Sequence, residues 1–137
     1  MDQAIFKPVF ALVALTFLVL LRIPYVRVRA VRKRRIHIDD FKPGESAAVP
    51  VDVALPNRNY MNLLEMPVLF YALAIVLFVS HDVDSTQLAL AWLYVALRYV
   101  HSAVHLTYNN VVHRVAVFAT SNVVLAVMWV LFALRST

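Results

Sequence analysis

The stretch RNYMNLLEMPVLF, residues 58–70, decides the fold. It sets an arginine, an asparagine and a glutamate at the head of an apolar run that continues to Val79. Arg58, Asn62 and Glu65 fall at i, i+4 and i+7, the spacing that gathers side chains on one face of an α-helix. A run of this length reads as a membrane span. A charged side chain there costs about 2.5 to 3.5 kcal/mol at the bilayer centre, so it faces the bundle interior or marks a functional site. The stretch predicts a spanning helix with one polar stripe.

The rest of the chain agrees with a bilayer as solvent. Of its 137 residues 62% are hydrophobic and 15% charged, against the roughly 25% charge of a soluble domain. The absence of cysteine excludes disulfides, thiolate nucleophiles and cysteine metal sites, and a single glycine, Gly44, excludes phosphate loops and dinucleotide fingerprints.

Four apolar runs reach the roughly 20 residues that a spanning helix needs: about 5–23, 60–79, 86–106 and 111–134. The expected fold is an all-α membrane protein, one domain over residues 1–137, built as a four-transmembrane-helix bundle. The first run lacks a basic leader, is long for a signal peptide and is followed by arginines, so it is expected to remain in the mature protein. Arg22, Arg27, Arg29, Arg32, Lys33, Arg34 and Arg35 crowd the connection after it, which places residues 27–57 in the cytoplasm and both termini outside. Trp92 and Trp129 then fall toward the outer interface, and Tyr25, Tyr60 and Tyr108 toward the inner one. Pro43, Pro50 and Pro56 are expected to break any long helix in the 27–57 loop. Positive-inside anchoring beside anionic headgroups accounts for its basic run, and no nucleic-acid partner is needed.

A second polar stripe lies on the third run, where Arg98, His101, Ser102 and His105 fall at i, i+3, i+4 and i+7. At about 1.5 Å per residue Glu65 and Arg98 lie at similar depth, about 8 and 13 Å from the inner ends of their helices, so they could meet. Arg114, one turn into the fourth run, sits level with Arg58 and His105, and Asn122 extends a weaker polar line. Pro67 frees the Leu63 carbonyl and predicts a kink beside Glu65. Three arginines around one glutamate leave an excess of positive charge that calls for an anion such as a carboxylate or thiolate. The alternatives are an ion-pair network that only packs helices, a lipid-headgroup site, and a proton pathway. His101 and His105 with His113 lack a carboxylate at matching spacing, so no metal is expected.

These residues resemble the family of membrane-associated proteins in eicosanoid and glutathione metabolism. R-x-x-x-N-x-x-E followed by proline matches Arg58, Asn62, Glu65 and Pro67. RYVHSAVHLTYNNVVHR, residues 98–114, is similar to that family's R-x-x-H-[ST]-x-x-Y-L-T segment, with His105 standing where the tyrosine falls and Tyr108 three residues later. The resemblance implies a homotrimer in a bacterial inner membrane that conjugates or reduces hydrophobic electrophiles with glutathione. By the same resemblance Arg58, Asn62, Glu65, Arg98, His101, His105 and Tyr108 hold glutathione. Arg22 or Arg27 joins them from an adjacent subunit, and Arg114 stabilises the thiolate.

Overall fold

A computed structural model describes residues 2–42 and 47–136; the expected break at Pro43 and the lone Gly44 lie outside them. The described residues form helices and turns without a strand: α1 (Phe6–Arg32) behind a 3-10 turn (Asp2–Ile5), α2 (Val51–Leu64), α3 (Pro67–Val79), α4 (Ser85–Leu106) and α5 (Val111–Arg135).

Three stretches are long and apolar enough to cross a membrane: Asp2–Arg32, Val51–Val79 and Val111–Arg135. The chain is an integral membrane protein. The fourth expected span, α4, has the length at 22 residues but not the uniform apolarity. Its Gln87, Arg98, His101, Ser102 and His105 are all buried, and Trp92, Leu93 and Val100 face outward. α4 turns a polar face inward and an apolar face outward.

The core is made by Leu12, Leu15 and Val19 of α1, Leu63 of α2, Phe70, Leu73 and Leu77 of α3, Tyr94 of α4, and Leu125 and Met128 of α5. Phe70 stacks on Tyr94 with ring centroids 4.9 Å apart. Large apolar side chains such as Phe10, Leu21, Ile75, Val112 and Leu134 are exposed on the outside. In a bilayer that distribution carries no penalty, because lipid tails replace water and helices associate through close packing and polar contacts.

The connection between α1 and α2 is shorter than expected. α1 continues to Arg32, about nine residues beyond the end of its apolar run, and α2 begins at Val51. Polarity ends a membrane span but not a helix, and arginine, valine and alanine continue the backbone ladder past Ile23. Pro56 lies inside α2, where its missing N–H removes only the bond to the Asp52 carbonyl in the first turn. Arg35 closes the connection by a bidentate pair with Asp52 at 2.9 and 3.0 Å.

Pro67 does more than kink the second span. The helix stops at Leu64, Glu65 turns away at φ −84° and ψ −91°, and Pro67 opens α3 at a position where its missing N–H is harmless.

At the opposite end Asp84 accepts the Gln87 amide at 2.7 Å, capping α4, and meets Arg135 of α5 at 2.6 Å. These contacts, the Gln87 amide first, hold the Asp84 carboxyl below its usual range. A depressed folded value stabilises the protein above the ordinary carboxylate pKa of about 4, and that stabilisation disappears as pH falls through the folded value. Asp84→Ala is therefore expected to cost about 1 kcal/mol near neutrality by removing the cap. In thermal melts of detergent-solubilised protein, variant and parent should begin to approach each other as pH falls past about 4 and converge below the depressed folded value.

Candidate functional site

The end of the bundle where α4 turns into α5 contains a cleft of about 550 Å³ between α2 and α5, floored by α4. α2 contributes Asn57, Arg58, Met61 and Asn62; α4 contributes His101 and His105; α5 contributes Arg114, Val115 and Phe118. The volume falls in the range of small-molecule sites. Among the described residues, the side chains lining it include no carboxylate.

The floor follows from the helical period of α4: Arg98, His101, Ser102 and His105 are all at most 2% exposed. Arg98 is fully buried and donates through Nη2 to the Asn62 carbonyl at 2.7 Å. In an unbroken helix that carbonyl would accept from the Met66 amide; the break before Pro67 releases it, and the guanidinium takes it up. The same guanidinium lies 5.4 Å from the centroid of the Phe118 ring. The Arg98 and Glu65 ion pair that their similar depth allowed does not form among the described residues, and Glu65 is exposed. The face argument that joined Glu65 to Arg58 and Asn62 requires a continuous helix, and the backbone leaves the helix at Glu65 itself.

Arg114 is held from two sides. Its Nη1 donates to Asn109 Oδ1 at 2.8 Å, and its carbonyl accepts from His101 Nδ1 at 3.2 Å. A carbonyl only accepts, so His101 carries its proton on Nδ1 and leaves Nε2 for the cleft. Asn109 sits at φ 46°, in the left-handed region that asparagine tolerates, and Asn110 caps α5 by accepting the His113 amide at 3.1 Å. The tight turn thereby places Arg114 close to the positive end of the α5 dipole.

Among the described residues, Arg98 Nε and Nη1, His101 Nε2 and both ring nitrogens of His105 are buried without a hydrogen-bond partner. Burying so many polar groups without partners costs about 1 to 3 kcal/mol each, more for a charged group, so the floor favours a polar ligand.

Several expected site residues lie elsewhere in the chain. Tyr108 is exposed at the turn, 3.1 Å from His113 Nδ1, and does not line the cleft. Arg27 stacks on Phe41 at 4.9 Å, and Arg22 lies in a separate cavity against α2 and α4. Three residues went unread in the sequence. Asn59, fully buried, accepts from Ser102 at 3.3 Å; Asn109 orients Arg114; Phe118 lies beside Arg98 and His101. The spacing of Phe118, i+4 from Arg114, carried that signal.

The curated proteins and the solved structures yield no match to the chain. The profile of the MAPEG family matches residues 5–134, nearly the whole length. With α2, α4 and α5 converging on an arginine and histidine cleft inside a membrane bundle, the chain belongs to the MAPEG family.

Proposed function

We propose that the protein is a glutathione-transferase-like membrane enzyme of four spans, with α4 as the third, both termini outside and three copies to the assembly. Family membership supports a glutathione-linked membrane activity at the level of the family. The observation that carries the reading is the convergence of Arg114, His101 and His105 on one cleft, with histidine ring nitrogens that lack partners and no lining carboxylate among the described residues.

Glutathione is written here as substrate, and the residues suit it. Its carboxylates match the guanidinium groups of Arg58 and Arg114, and its amide groups match Asn62, His101 and His105. Arg98 acts from beneath by fixing the Asn62 backbone. Glu65, exposed three residues beyond Asn62, is assigned to the ligand's amino group in a site completed by a neighbouring subunit. In that arrangement Arg27 reaches the tripeptide from the neighbour, Arg22 being held in its own cavity, and Tyr108 lies at its rim. Val115 lines the cleft and is 54% exposed, which gives a hydrophobic electrophile an apolar doorway from the bilayer.

Calorimetric titration of purified protein with glutathione is the direct test. Binding below millimolar concentration is expected, weakened about tenfold or more in His105→Leu, which removes one buried hydrogen bond to a charged or polar ligand. His105→Tyr keeps a donor on the same face and is expected to bind. No heat at millimolar ligand would remove the proposal.

A further inference from the structure

The cavity that contains Arg22 is a second polar site. It encloses about 340 Å³ between the last turns of α1, the first turns of α2 and the end of α4. Arg22 and Arg29 of α1 and Lys33, its C-cap, line it at i, i+7 and i+11, the spacing of one helix face over about 16 Å of axis. Its one carboxylate, Asp52, is engaged bidentately by Arg35 at 2.9 and 3.0 Å. Arg22, Arg29 and Lys33 form no ion pair among the described residues.

The level of the cavity narrows the ligand class. Arg22 is the first charge after the apolar run of α1, and Tyr25, 57% exposed and also in the lining, belongs to the side chains that favour the headgroup layer. Guanidinium forks pair with phosphate oxygens bidentately, and a row of cations on one face repels an ammonium headgroup while attracting a net negative one.

We propose that this α1, α2 and α4 cavity binds the headgroup phosphate of an anionic phospholipid. The site is separate from the cleft between α2 and α5 and does not depend on the activity assigned there. Its occupant packs the projecting end of α1 against α2 and α4 on the side where the helices leave the bilayer.

Native mass spectrometry of the full chain from micelles doped with phosphatidylglycerol, phosphatidylcholine or inorganic phosphate tests the proposal. Retention of phosphatidylglycerol over phosphatidylcholine is expected. Arg29→Gln with Lys33→Gln should lower that retention about tenfold, since each basic side chain near an anionic surface contributes a severalfold preference. Arg32→Gln with Arg34→Gln removes equal charge outside the cavity lining and should leave it unchanged. The exchange Arg29→Lys with Lys33→Arg, which keeps charge and fold, should also bind. Equal losses in both glutamine pairs would mean a diffuse basic collar and overturn the site. Retention of inorganic phosphate with no advantage for phosphatidylglycerol would overturn the lipid assignment.

Discussion

Arg114→Ala is expected to lower kcat/KM for conjugation of glutathione to a hydrophobic electrophile about 100-fold to 1,000-fold, the loss that follows removal of one preorganised group facing developing or stored negative charge. Arg114 suits that role because its guanidinium is oriented before the ligand arrives: Asn109 holds Nη1 at 2.8 Å and His101 holds the carbonyl of the same residue. A free thiol has a pKa near 8.5, so at neutral pH little of it is the nucleophilic anion; a fixed cation and a helix N-terminus both favour the anion. The parent protein should therefore lose rate only as pH falls through a thiol pKa lowered below 8.5. In Arg114→Ala that midpoint should move back up toward 8.5, and raising the pH should recover part of the deficit. Arg114→Lys keeps the charge without the fork and should fall between the two. A uniform rate loss with an unmoved pH midpoint would assign Arg114 to binding alone and end the thiolate argument.

Three of the four expected spans and the inward stripe of α4 were legible because they depend on period and apolar length, properties that local sequence carries. Arg98, His101, Ser102 and His105 are buried together as their spacing requires. The joining of Arg58, Asn62, His101, His105 and Arg114 at one level was readable from depth along each helix. What sequence spacing did not carry is the consequence of a break. Proline 67 predicts a lost hydrogen bond, but not whether the chain bends or stops, and the difference moves Glu65 off the face it shares with Asn62 in an ideal helix. Asn109 was equally hidden, since its task depends on a left-handed turn that sets α5 against α4. The basic run after α1 looked like loop because charge marks the membrane boundary, whereas the helix itself ends only at Arg32.

Arg98→Ala is expected to destabilise the fold by about 3 kcal/mol. Two losses combine. The Asn62 carbonyl, now bonded at 2.7 Å, is left buried and unsatisfied, at a cost of about 1 to 3 kcal/mol. The space over Phe118 opens as a cavity in a fully buried position, which adds a packing loss of similar size. Removing a buried cation also relieves its desolvation cost, which is why size matters more than charge here. Arg98→Met fills much of the volume and should lose less than Arg98→Ala, keeping only the share owed to the carbonyl. The carbonyl is orphaned only because α2 stops before Pro67. In Pro67→Ala the backbone is free to continue from α2 into α3, and the Met66 amide can then return to Asn62. Pro67→Ala should therefore rescue part of the Arg98→Met deficit, giving a coupling of about 1 kcal/mol in a double-mutant cycle read by thermal or denaturant unfolding in detergent. Strict additivity, or equal losses for alanine and methionine at position 98, would show that Arg98 does not cap the broken helix and that the cleft floor is held in another way.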